Sequence, residues 1–278
     1  MKHIINRRKF LELFGCGCCV FALPSCSSVP ITDRKQLTIF SEANMNIKAA
    51  AAYEQFKKKA KLVEKGKELD QIRDVGGRIE KAVSAYFLKQ NIKDPTEAFD
   101  WEYVLVKNDK VKNAWCMPGG KIAFYTGMLK ITQNEDGLAA VMGHEIAHAV
   151  AKHSIERQSA ALTINLGTQV ADVFLGGAIG QTRNTIGRAS GMDILALGLM
   201  NPFGRKQETE ADYLGLIFSS LAGFDIREAT KLWERMSIAN KGKEPPQFLS
   251  THPSSKNRII NLSEWTNEVI VKYPPIIS

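Results

Sequence analysis

The sequence predicts an α+β fold that is mainly helical, with one small β-sheet. Three observations carry this. Apolar residues recur at three- and four-residue steps along much of the chain, two short β-rich runs fall between residues 101 and 126, and no internal repeat is present. With 278 residues, 44% of them hydrophobic and 24% charged, the chain can bury one sizeable core. The same balance excludes a disordered, collagen-like or multispanning membrane protein.

The first element is an address. Residues 1–25 join a basic start (Lys2, Arg7, Arg8, Lys9) to an apolar stretch from Phe10 to Leu23, interrupted by Glu12 and too short to span a bilayer. That order reads as an export signal. Leu23-Pro24-Ser25-Cys26 resembles a bacterial lipobox, which makes Cys26 the lipidated residue and the membrane attachment point. Asn6-Arg7-Arg8-Lys9-Phe10-Leu11 also resembles a twin-arginine export motif. A simple basic n-region explains the same residues, so both routes stay open. Ser27 follows Cys26 where Asp would favour inner-membrane retention, so the expected location is the periplasmic face of the outer membrane in a Gram-negative envelope.

Cysteine and charge accounting narrows the function further. Four of five cysteines (Cys16, Cys18, Cys19, Cys26) lie in the first tenth of the chain, leaving Cys116 alone in the body. A disulfide framework and a cysteine-built metal site are thereby excluded. The net charge of +8 falls to about +5 without residues 1–25, and Lys57-Lys58-Lys59 to Lys67 is interleaved with Glu54, Glu64 and Glu68. This is a solvated helix face, and no nucleic-acid partner is expected.

Residues 26–48, rich in Ser, Pro and Thr, read as a tether between the lipid and a domain spanning 49–278. From Ala49 to Leu88 the spacing predicts helices, with Ile72, Val75, Ile79, Val83 and Phe87 forming one apolar stripe. Trp101–Val106 and Lys121–Thr126 read as strands, separated by Asn108-Asp109 and by Pro118-Gly119-Gly120. A helix is expected from Glu135, capped by Asn134 or by a Thr132/Glu135 capping box. The glycine-rich stretch Leu162–Met200 is too polar for a lipid-facing span, and fits a lid or a closely packed helix pair. Further helices are expected over Gln207–Ala222, stopped by Gly223, and over Ile226–Ala239, with Leu232, Trp233 and Met236 inward.

The chemistry concentrates in His144-Glu145-Ile146-Ala147-His148. Four residues turn a helix by about 400°, so both imidazoles project from nearly one side and can bind one ion. Neutral nitrogen ligands suit zinc, and a catalytic zinc takes three protein ligands, leaving a position for water. Glu145 lies about 100° round, placed to reach that water as general base. Downstream, Glu208-Thr209-Glu210-Ala211-Asp212 supplies the third ligand. Glu208 and Asp212 share a helix face, so Glu208 is the expected ligand and Asp212 the orienter of His144; Glu210, on another face, is the alternative ligand. One Zn²⁺ per chain is expected.

These motifs, together with Asn113-Ala114, Pro118-Gly119-Gly120 and Thr251-His252-Pro253 with Arg258, resemble the M48 family of zinc metallopeptidases. The likeness covers nearly the whole chain after residue 25, and with Val29-Pro30-Ile31-Thr32 and Arg34-Lys35-Gln36-Leu37 it extends to the exported bacterial lipoprotein branch. It implies a zincin-like endopeptidase domain with a small sheet beside the motif helix, acting on polypeptides, in particular unfolded envelope proteins. It also implies that a sheet edge aligns the substrate, and Lys121, Ile122, Ala123 and Phe124 are the expected edge. His252 would approach the zinc and hold the enzyme latent or steady the oxyanion, or else be a turn residue. Arg258 would stabilise the oxyanion, pair with Asp212, or lie on the surface. His153, about 500° past His148 on a continued helix, is expected on the surface. Trp115 and Cys116 stand where smaller or aliphatic residues are usual in the family, and Cys116 is expected to be a core or rim residue. The alternative reading is a latent or non-proteolytic zinc-containing assembly factor.

Overall fold

A computed structural model describes residues 26–174, 203–241, 246–253 and 257–276, so the expected export signal and most of the glycine-rich stretch lie outside the described residues. Strand β1 (Cys26–Ser28) pairs antiparallel with β2 (Lys35–Leu37). Residues 26–48, expected as a tether, are folded in the structure. Val29 is fully buried in the main core, Arg34 ion-pairs with Glu156 and Glu210, and helix α1 (Glu42–Lys59) starts seven residues before the expected domain boundary at 49. The composition suited a tether, but one apolar residue and one arginine suffice to dock the hairpin.

Helix α1 buries Met45, Ala49 and Tyr53, and the Tyr53 hydroxyl donates to the Ile122 carbonyl at 2.7 Å. Helix α2 (Lys67–Lys89) buries the whole expected stripe of Ile72, Val75, Ile79, Val83 and Phe87. Burial of each such side chain favours folding by roughly 1.5–3 kcal/mol. Together these helices back a three-stranded sheet.

That sheet holds β3 (Glu102–Val106), β4 (Ala114–Met117) and β5 (Lys121–Tyr125) in the order β3-β5-β4. The turn between β4 and β5 places Gly119 and Gly120 at φ 80° and 79°, a left-handed conformation that glycine adopts without strain. It folds β4 back antiparallel on one side of β5, while β3 pairs parallel on the other. The expected substrate edge, Lys121 to Phe124, is therefore the central strand. Both its sides are occupied, so it cannot accept another strand, and the edge beside the motif helix is β4. Strand β4 is only four residues long and lacks clean alternation, which hid it in the sequence.

Helix α3 (Thr126–Thr132) leads into α4 (Glu135–Val150), where the Asn134 side chain accepts from the Gly137 amide at 2.7 Å. Such a cap stabilises a helix by about 1 kcal/mol. Helix α4 ends early: Lys152 turns to φ 55° and His153 opens a new helix, α5 (His153–Phe174). Across α4 packs α6 (Arg205–Leu221). Gly143 and Gly215 let the two backbones touch, since a Cβ on Gly215 would sit 2.9 Å from the His144 backbone nitrogen. Helix α7 (Glu228–Asn240) buries Leu232, Trp233 and Met236 as expected. A short α8 (Phe248–Thr251) and α9 (Arg258–Lys272) close the described fold, α9 burying only Arg258, Leu262, Thr266 and Val269, a stripe too sparse to announce a helix.

Candidate metal centre

The α4–α6 crossing sets the site. His144 and His148, one turn apart on α4, bring their Nε2 atoms within 3.1 Å of each other. Glu208, in the first turn of α6, places Oε1 3.3 Å from His148 Nε2 and Oε2 3.6 Å from His144 Nε2. His252, just past α8, puts Nδ1 3.2 Å from His144 Nε2 and 3.0 Å from Glu208 Oε1. All four side chains are buried, and one donor atom of each lies within 4.8 Å of the others.

Their chemistry fits zinc. His144 Nδ1 lies 2.9 Å from Asp212 Oδ1, an oxygen that already accepts from Arg258, and this contact is shorter than the 3.4 Å to Arg258 Nη2. His148 Nδ1 lies 2.8 Å from His153 Nδ1. With the proton of each ring on Nδ1, two bare Nε2 lone pairs face one point beside a carboxylate. Without a cation, such lone pairs repel. Tetrahedral ligands at roughly 2.0–2.1 Å from zinc stand about 3.3 Å apart, close to the spacings here.

Glu145 completes the group. It is 1% exposed, its Oε2 accepts from the Cys116 amide at 3.1 Å, and its Oε1 accepts no hydrogen bond among the described residues, with His252 Nε2 3.3 Å away. Burial pushes its carboxyl up to about 7, with His252 pulling the other way. Burial likewise holds His144 and His148 well below the usual imidazole range, in the neutral form a metal requires. Glu208 goes the opposite way: burial would raise it, but His252 and His148 outweigh that and keep it ionised. For His252, Glu145 and Glu208 overcome burial and raise its affinity for a proton.

Arg258 is buried at the start of α9. It donates to Asp212 Oδ1 at 2.5 Å and to Glu208 Oε2 at 3.1 Å, and lies 3.3 Å over the Trp233 ring. Of the roles open to it, pairing with Asp212 is the one the geometry displays. His153 departs from expectation: it is fully buried, with Nε2 2.9 Å from Glu210 Oε2. The surface placement assumed that α4 continued through residue 153, and the break at Lys152 turns His153 back behind His148. Glu210, the alternative ligand, faces His153 and not the ligand cluster. Phe203, whose ring stacks 3.8 Å from His148, also had no signal in the sequence. Cys116 is buried on β4, its thiol pushed up by burial.

Two imidazoles a turn apart, a carboxylate on the next residue after the first, and a further carboxylate from a crossing helix define a hydrolase of the His-Glu-x-x-His metalloenzyme class. Residues 75–266 match the model for peptidase family M48, and the chain belongs to this family of zinc metallopeptidases. It is 44% identical over 174 residues to the mitochondrial metalloendopeptidase OMA1 of Schizosaccharomyces pombe, covering 62% of this chain and 48% of that one. Against the protein of the same name from Saccharomyces cerevisiae it is 31% identical over 283 residues, covering 94% and 74%. The beta-barrel assembly-enhancing protease of Escherichia coli is 27% identical over 176 residues, covering 61% and 35%. The chain thus spans about half the length of the first of these relatives.

Proposed function

We propose that the protein is a zinc-dependent endopeptidase of the bacterial cell envelope, held by lipid on Cys26 at the periplasmic face of the outer membrane. Its substrates in this reading are polypeptides, in particular misfolded or stalled envelope proteins. The observation that carries the activity is the convergence of His144, His148 and Glu208 donor atoms beside the unbonded Oε1 of Glu145. The location rests on the lipobox-like Leu23-Pro24-Ser25-Cys26, and the substrate class on likeness to an envelope protease named for barrel assembly. The mitochondrial relatives support the peptidase activity and not the address.

His144, His148 and Glu208 would hold the zinc, which when bound supplies a Lewis acid and brings the pKa of water towards neutrality. Asp212 keeps His144 in the ligating tautomer, and Arg258 holds Asp212 and Glu208 in place. Glu145 takes the proton of the attacking water on Oε1, while the Cys116 amide fixes Oε2. Strand β4 turns the Ala114 backbone and the Cys116 carbonyl to its outer side, because Asn113, Trp115 and Met117 face β5 and the Cys116 amide donates to Glu145. A substrate added along β4 would therefore run past Glu145.

A second reading has an observation of its own. His252 Nδ1 lies as close to His144 and Glu208 as a fourth ligand would, and could fill the place that water needs. His252→Ala separates the readings on a reduced, unfolded protein. Faster cleavage than wild type identifies a latent peptidase. Cleavage by neither protein, with zinc bound to both, favours a non-proteolytic assembly factor and overturns the endopeptidase reading.

A further inference from the structure

Behind His148, away from the ligand cluster, runs a chain of polar side chains that the peptidase reading does not use. His148 Nδ1 meets His153 Nδ1 at 2.8 Å, and His153 Nε2 meets Glu210 Oε2 at 2.9 Å. Glu210 in turn accepts from Arg34 Nε at 2.7 Å and from the Thr32 hydroxyl. The far end of Arg34 is a two-pronged pair with Glu156, at 2.7 and 2.8 Å, and Gln207 Nε2 donates to the same carboxylate at 2.7 Å. Thr32 and Arg34 both lie in the connection between β1 and β2, more than a hundred residues from every other member.

The carboxylate at the end of the chain sets the direction of these bonds. A carboxylate only accepts, so Glu210 draws a proton onto His153 Nε2. With its proton on Nε2, His153 offers Nδ1 as the acceptor 2.8 Å from His148 Nδ1, which fits a His148 protonated there. That leaves His148 Nε2 bare towards the cluster. Were Glu210 free to turn away, His148 could place its proton on either nitrogen, and with the proton on Nε2 that nitrogen cannot ligate. Arg34 shares Glu210 Oε2 with His153 while the Thr32 hydroxyl holds Oε1, so both oxygens are fixed and the carboxylate is kept from turning away.

We propose that Thr32 and Arg34 are positioning residues of the metal centre, acting through Glu210 and His153 to fix the ligating tautomer of His148. The N-terminal hairpin is then a working part of the zinc site, and not only a connection to whatever precedes it. This rests on the reading of His148 as a ligand.

The test measures zinc affinity by competition with a chromogenic chelator, and the visible spectrum after Co²⁺ substitution, in the full chain. Arg34→Ala and Glu210→Gln are expected to lose about tenfold or more in zinc affinity and to shift the Co²⁺ bands at saturation. Lowered stability alone would not move the bands of a filled site. Thr32→Val, which removes one hydroxyl and preserves shape, is expected to weaken zinc in the same direction and decides the matter if Arg34→Ala does not fold. Affinity and Co²⁺ spectra equal to wild type in the variants that fold would overturn the proposal. His148→Ala distinguishes the underlying reading: if it binds zinc as wild type does, the ligand assignment fails; if it loses zinc while Arg34→Ala, Glu210→Gln and Thr32→Val do not, only the positioning role fails.

Discussion

Glu145 carries its carboxyl in a buried position where one oxygen has a backbone donor and the other has none. In the metal-free protein its pKa rises from the ordinary carboxyl range to about 7. The folded state therefore holds a proton between about pH 4.5 and 7 that the unfolded state has released, so this group's contribution is fully present at low pH and is lost as pH rises through about 7. Glu145→Gln cannot ionise. Its metal-free form is expected to gain stability relative to metal-free wild type as pH goes from about 5 to about 8, measured by urea unfolding with chelator present. A difference that stays constant over that range would contradict the burial account. Residues such as His144, Glu145 and His148 were legible because spacing along one helix fixes their relative direction. His153 was not, because its placement depends on a helix break at Lys152 that no proline or glycine announces.

At the scale of elements, the crossing of α4 and α6 decides the site. Just over one turn of α6 sends three carboxylates to three tasks: Glu208 to the cluster, Asp212 to His144, and Glu210 to His153. Helical angles alone separated Glu208 and Asp212 from Glu210 in the sequence. The close approach of the helices was not readable, since it depends on Gly143 and Gly215 meeting across seventy residues. Gly215→Ala must push the helices apart, because the added carbon would lie 2.9 Å from the His144 backbone nitrogen. The expected cost is about 1–3 kcal/mol in urea unfolding, accompanied by weaker zinc retention. Wild-type stability and zinc retention in this variant would show that the crossing is not tight. Strand β4 was missed for a related reason: its four residues become an edge only when the Gly119–Gly120 turn lays them beside β5.

For the whole molecule, composition and periodicity were enough for a mainly helical α+β domain with a small sheet, and for the metal-binding helix within it. They failed where distant segments meet. The hairpin at residues 26–37 looked like a tether by composition, yet Arg34 docks it against Glu156 and Glu210 and so against the back of the metal centre. Polar residues at low local hydrophobicity can be structural when their partners are buried carboxylates elsewhere in the chain. The central claim is that this chain is a peptidase in which zinc and Glu145 have separate jobs. Glu145→Gln tests it most directly, with zinc content and cleavage of a reduced, unfolded protein measured on one preparation. About one zinc per chain and no cleavage are expected of the variant, against one zinc and chelator-sensitive cleavage in wild type. A variant that cuts as wild type does, or one that has lost its zinc, would contradict it.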